Sequence, residues 1–201
     1  MNLKSFFVAT GSAFGLALPC SQLVGAIDLA TSECDSAGNA FARTASAGRI
    51  TVKVCRRAEI WSTTNGVHWA KHLTGTPGSL YDVACGNGVF VAVGNEGRIV
   101  TSLDGIAWTE RKSCTDERLR GIAFGKGLFV AVGYAGTVLT SRDGVTWKLR
   151  NSGTEVRLQM VAFDSGVFVA VGWKGVILTS ENGTRWTTRN TGISETNGRD
   201  H

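Results

Sequence analysis

The chain has 201 residues, of which 43% are hydrophobic and 18% charged, a balance that builds a globular body with a sizeable core and excludes intrinsic disorder. Its 26 glycines against only 2 prolines call for many tight turns and exclude a helical bundle. The net charge of +5 comes from scattered basic residues. No Lys/Arg run tracks nucleic-acid phosphates, so no nucleic-acid partner is expected.

The first 26 residues have the outline of a secretory signal. One positive charge at Lys4 precedes an apolar stretch from Ser5 to Pro19, and Val24-Gly25-Ala26 offers small residues for a cut after Ala26. Two other readings stay open. Phe7-Val8-Ala9-Thr10-Gly11 echoes a repeat found downstream, and Cys20 would suit a lipoprotein signal were Pro19 not beside it. Nothing else is apolar for about 20 residues, so no membrane span is expected after removal of the signal. The expectation is a secreted or periplasmic protein. Residues 27–40 are small and polar and read as a linker.

Removing the signal leaves Cys34, Cys55, Cys85 and Cys114, an even number that permits two disulfides without fixing their pairing. Cys34 with Cys55 is the first pairing to test. Cys85 stands where the later repeats have Phe124 and Phe163, which also fits a small buried hydrophobe. No C-x-x-C spacing occurs, so a structural zinc is not expected.

Tryptophans at 69, 108, 147 and 186 are each separated by 39 residues. Sliding the chain by that period aligns 80–118, 119–157 and 158–196 without a gap, with fourteen positions identical in all three. A degenerate copy precedes them at 41–79, and residues 197–201 form a tail. Each unit divides into four β-rich runs: in the second full unit, Leu119–Phe124, Leu128–Val132, Thr137–Ser141 and Thr146–Arg150. The glycine turns between them are too short for anything but antiparallel neighbours. A four-stranded unit near 40 residues that cannot bury both its faces alone has the character of a propeller blade. The predicted fold is therefore all-β: a β-propeller, or part of one, of about four four-stranded antiparallel blades.

The segments Ser102-Leu103-Asp104-Gly105-Ile106-Ala107-Trp108, Ser141-Arg142-Asp143-Gly144-Val145-Thr146-Trp147 and Ser180-Glu181-Asn182-Gly183-Thr184-Arg185-Trp186 resemble the Asp-box (BNR-like) repeat of sialidases and other bacterial propellers. Here Asp and Gly are adjacent, a shorter form that looks closer to photosystem II assembly-factor-like propellers. The resemblance covers 41–196 and implies a fold rather than an activity. Asp104, Asp143 and Asn182 are expected to accept hydrogen bonds within their own turns. Trp69, Trp108, Trp147 and Trp186 are expected to pack between blades.

A propeller binds at the mouth of its funnel, so residues that differ among the copies there are candidate binding residues. Asn95, Tyr134 and Trp173 share one turn position, followed by Glu96, Ala135 and Lys174, while Arg118 and Arg157 precede the innermost strands. Tyr134, Trp173, Lys174, Arg118, Arg157 and Glu96 would suit a glycan or an acidic peptide, with aromatic platforms and forked donors; the alternative is that they are ordinary solvated loop residues. Arg111, Arg150 and Arg189 recur in register and read as inter-blade salt-bridge or carbonyl partners. His68 and His72 are spaced i, i+4 with no third ligand in view, so neither metal nor cofactor is expected.

The leading functional expectation is a secreted, non-catalytic binding or scaffold module for a protein or glycan. The alternative is a sialidase-like glycoside hydrolase or a fragment of one, which would need a tyrosine activated by a carboxylate and an acidic proton donor. Four units fall short of the about six to eight blades that usually close a ring, which leaves three readings open: association through two apolar end faces as a homo-oligomer, a fragment of a longer propeller, or a compact four-blade ring.

Overall fold

The computed structural model describes residues 43–55, 59–75 and 78–189. The signal, the linker, the tail, and the Cys34 half of the proposed Cys34–Cys55 pair lie outside the described residues. Sixteen strands form four separate antiparallel sheets, each a simple meander. The first blade holds β1 (Arg43–Ala47), β2 (Ile50–Cys55), β3 (Glu59–Thr63) and β4 (Ala70–Leu73). The second holds β5 (Leu80–Gly86), β6 (Val89–Gly94), β7 (Ile99–Ser102) and β8 (Thr109–Arg111). The third comprises β9 (Leu119–Gly125), β10 (Leu128–Gly133), β11 (Val138–Ser141) and β12 (Lys148–Arg150). The fourth comprises β13 (Leu158–Asp164), β14 (Val167–Gly172), β15 (Ile177–Ser180) and β16 (Thr187–Arg189).

Alternation along each strand gives every blade two faces, and the blades stack back to front. Val91, Val93 and Ile99 on the back of the second blade bury against Leu119, Ile122, Phe129, Leu139 and Trp147 on the front of the third. The same positions recur one blade earlier, from Val52, Val54 and Ile60 to Phe90 and Val100, and one blade later, from Val130, Val132 and Val138 to Phe168 and Leu178. Phe90, Phe129 and Phe168 are fully buried. The repeated Phe is thus the knob of each inter-blade core, with the repeated Trp beside it (Phe129 and Trp147 centroids 6.5 Å apart).

Innermost strands are neighbours in series, β1 beside β5, β5 beside β9 and β9 beside β13, with no such packing of β13 on β1. The four blades form an open arc, and its ends differ. On the front of the first blade, Thr51 and Lys53 replace the Phe and Ala of later blades, and Lys53 sits over the Trp61 and Trp69 rings at 5.6 and 4.2 Å. The back of the fourth blade keeps Val169, Val171 and Ile177. Among the described residues, the expectation of two apolar ends does not fit the front of the first blade, where Thr51 and Lys53 stand beside Trp61 and Trp69.

The turn before each repeated Trp closes on itself. Asp143 Oδ1 accepts from the Val145 and Thr146 N–H groups, both at 2.8 Å, and from the Ser141 hydroxyl at 2.8 Å. Ser141 Oγ in turn accepts the Gly144 N–H, and Trp147 Nε1 donates to the Gly144 carbonyl. Asp104 and Asn182 repeat the pattern, and Thr63 with Asn65 reproduces it in the first blade. The Thr146 N–H, with its neighbours, lowers the Asp143 pKa to about 2.

Two expectations need correction, on the arginine series and on Cys85. Arg111, Arg150 and Arg189 do not reach between blades; each Nε donates at 2.9 Å to a Thr one strand inward, Thr101, Thr140 and Thr179. This cross-strand geometry comes from the repeat register, which places Arg150 on β12 opposite Val138 and within reach of Thr140 on β11. His72 holds the corresponding place in the first blade, 2.8 Å from Ser62 Oγ, while His68 lies in the exposed turn before β4. Among the described residues no group of His, Cys, Asp and Glu could hold a metal. Cys85 is buried, yet it is disulfide-bonded, as is Cys55; Cys114 is free and exposed.

Candidate functional site

The lip of the arc is built by two backbone devices that recur in the last three blades. The first is a β-bulge at the start of each innermost strand. Leu80 pairs with Gly94 and Asp82 with Val93, so Tyr81 falls out of the ladder. The same shift releases Arg120 between Leu119 and Gly121, and Gln159 between Leu158 and Met160. Bulges re-aim side chains in this way. The first blade has no such shift.

The second device is the tight turn after the second strand. Tyr134 N–H donates to the Arg118 carbonyl and Trp173 N–H to the Arg157 carbonyl, both at 2.9 Å, and Asn95 N–H donates to Ser79 at 3.0 Å. Each bond ties the variable turn residue to the residue preceding the innermost strand. Close approach demands glycine: a Cβ on Gly133 would run into the Arg118 carbonyl, and one on Gly136 into the Thr154 carbonyl. Glu96, Ala135 and Lys174 take φ of 53°, 49° and 54° in these turns.

Together these devices bring four of the six candidate residues into one ladder. The Arg157 guanidinium lies 4.0 Å from the Tyr134 ring centroid and 4.2 Å from that of Trp173. Arg118 lies 5.0 Å from Tyr134 and 5.7 Å from Tyr81, and its Nη1 donates to the Tyr134 hydroxyl at 3.2 Å. Cation and ring alternate from Tyr81 through Arg118, Tyr134 and Arg157 to Trp173, crossing three blades. Trp173 is 53% exposed at the far end. Glu96 and Lys174 sit on the same lip, exposed, outside the ladder.

Tyr81 and Arg120 belong to the site although sequence comparison did not select them. Arg120 stacks on Tyr81 at 4.5 Å, and the Tyr81 hydroxyl donates to Asn95 Oδ1 at 2.7 Å. Both occupy the bulge position of their blades, and strand alternation hid them. The available signal was the i, i+2 spacing of Arg118 and Arg120 at the start of one strand. Beneath them Asp82 is buried, with one carboxylate oxygen accepting Val83 N–H and the other Ile122 N–H of the next blade, both at 3.0 Å. Burial raises its pKa to about 6 against the pull of Arg43, the two N–H groups and Arg120.

The structural predictions for Asp104, Asp143, Asn182 and the four tryptophans place those residues on the outer part of each blade, away from this ladder. Trp108, Trp147 and Trp186 pack into the three inter-blade cores, whereas Trp69 lies under Lys53. Among the described residues no helix is long and apolar enough to cross a membrane.

Fold and lip together define a β-propeller-type arc of four blades carrying an aromatic–arginine ladder. Solved structures of that architecture are similar to it. One described as YCF48 bound to D1 peptide is 22% identical with a TM-score of 0.53, matching 76% of this chain to 54% of that one. YCF48 from Cyanidioschyzon merolae is 18% identical with a TM-score of 0.53, matching 72% to 56%. The computationally designed Ika4 protein is 15% identical with a TM-score of 0.56, matching 73% to 93%. The chain thus spans little more than half the length of the YCF48 structures it matches, and the likeness is one of fold. No family model matches the sequence, and no curated protein matches it.

Proposed function

We propose that the chain is a non-catalytic binding module whose lip takes an acidic, extended protein segment. The observation that carries this reading is the ladder of Tyr81, Arg118, Tyr134, Arg157 and Trp173. A guanidinium stacked on rings is already ordered, so it loses little side-chain freedom on binding, and its in-plane N–H groups suit carboxylates. Exposed Trp173 adds a platform for an apolar side chain. The similar YCF48 structure is described as bound to a D1 peptide, which favours a protein ligand over a glycan for this chain as well.

The Ser-x-Asp-Gly turns are read here as a shortened Asp-box, and residues 1–26 as an export signal that would place the module outside the cytoplasm. The sialidase-like alternative gains no support from the lip. Its catalysis would need a tyrosine paired with a carboxylate, whereas Tyr81 bonds Asn95 and Tyr134 bonds Arg118.

Titration calorimetry with hexaglutamate, hexalysine and sialyllactose tests the proposal. Binding of hexaglutamate alone is expected, weakening with salt. Arg157→Ala should weaken it at least tenfold, or about 1.4 kcal/mol, with the far-UV spectrum unchanged. Equal binding of both peptides, or none of hexaglutamate, would sink the reading.

A further inference from the structure

A row of equivalent positions runs along the innermost strands beneath the ladder. Arg43 pairs with Val54, Asp82 with Val93, Gly121 with Val132 and Met160 with Val171, so the four occupy one repeat position in successive blades. Asp82 is the acidic member of this row and is 7% exposed. Its carboxylate accepts Val83 N–H on its own strand and Ile122 N–H on the next blade, and among the described residues it closes no ion pair.

Two cations act on that carboxylate from the blades on either side. β1 supplies Arg43 and β9 supplies Arg120, and both favour its ionised form from beyond ion-pairing distance. β6 carries no titratable group, and Lys53 of β2 is turned to the Trp61 and Trp69 rings. Burial outweighs both cations and holds the carboxyl at a pKa of about 6. Arg120 also touches the ladder. Its guanidinium stacks on Tyr81 at 4.5 Å, and its buried Nε has no hydrogen-bond partner among the described residues. One cation is thus shared between a buried carboxyl and the surface offered to a ligand.

We propose that Asp82 is a positioning residue that couples the lip to a proton: an acidic segment bound there and an ionised Asp82 compete for Arg120 and Arg43, so the segment binds more tightly once Asp82 is protonated. The coupling presupposes a lip that takes acidic segments, and it makes that site stronger in acid. The proton comes from solvent and sits on one Asp82 oxygen, while the other still accepts an N–H; the charge facing the ligand becomes more positive by one. Linkage requires the reverse as well, so a bound acidic segment raises the proton affinity of Asp82. Protonation of the segment's own carboxylates would weaken binding in acid, which is the opposite direction.

Titration calorimetry of the full chain with hexaglutamate at about pH 7.5 and about pH 5.5, at constant ionic strength, tests this. Binding is expected to be about fourfold tighter at the lower pH. Asp82→Asn, which fixes the neutral state, should bind at both pH values as the parent does at the lower one. Should that variant fold poorly, the Asp82 carboxyl carbon resonance of the parent decides, since its titration midpoint should rise on saturation with hexaglutamate. Equal or weaker binding by the parent in acid would overturn the coupling and leave the lip reading intact. So would a pH dependence that survives Asp82→Asn, or a midpoint that hexaglutamate does not move. Absence of binding at either pH would sink the lip reading and the coupling with it.

Discussion

The outer turns and the lip of the arc are made from the same repeat and treat it in opposite ways. In the turns, Ser141, Asp143, Gly144 and Trp147 satisfy one another's polar groups, and close counterparts recur in every blade. At the lip the backbone recurs, with the same bulge and the same turn-to-strand bond, while the side chains differ from blade to blade. The repetition of the turns holds the blades, and the divergence at the lip produces a ladder that no single blade could supply. A residue invariant among the copies therefore reports on stability, and one that varies on a constant backbone reports on the surface offered to a ligand.

Substitutions should separate the two regions by magnitude. Phe129→Ala removes the fully buried ring between the second and third blades and should cost about 3–5 kcal/mol, read as a lowered urea midpoint with ligand binding retained by the folded fraction. The next effect is in pH. The Asp82 pKa is raised from 3.8 to about 6, so the folded state holds that proton more tightly than the unfolded one. This group's contribution grows as pH falls from about 6 to about 4, by up to about 3 kcal/mol. The stability difference between the parent and Asp82→Ala should therefore be larger at pH 4.5 than at pH 7; an equal difference would show that the carboxylate titrates normally.

Asp143 works with the opposite sign. Its pKa is lowered, so its contribution is present above about pH 4 and lost as pH falls toward 2. Asp143→Ala should cost about 1–2 kcal/mol at pH 7, as expected for a carboxylate that accepts two backbone bonds, and the cost should shrink at pH 2 in the same denaturant titration. The smallest effect on stability belongs to the ladder. Arg157→Ala should change the urea midpoint by less than about 1 kcal/mol, while blue- or red-shifting Trp173 fluorescence. A large loss of stability would mean that the ladder holds the blades together and is not reserved for a ligand.

The fold was legible because period and turn chemistry are local. A 39-residue spacing of Trp, the alternation in Leu128–Val132, and Asp-Gly turns give the strands of the third blade to within one residue, except that the last strand begins two residues late, at Lys148, because the Asp143 turn still holds Thr146. Four of the six lip residues were legible for a related reason: a divergent position on a conserved frame can be seen in an alignment of the copies. Tyr81 and Arg120 were not, because the bulge that turns them out of the ladder carries no residue of its own. Nor could the Arg111, Arg150 and Arg189 series be assigned, since a register says which positions recur and not which neighbour a long side chain reaches.

The sequence by itself determined the blade, its number of strands, its turns and which faces are apolar, all properties of residues close along the chain. Only the tertiary structure decided that cations and rings from three blades interleave and that Asp82 is buried against the next blade. Each of these depends on contacts between residues about one repeat or more apart. Their distances are set by how blades stack, and stacking follows from the shapes of whole faces rather than from any local run of residues.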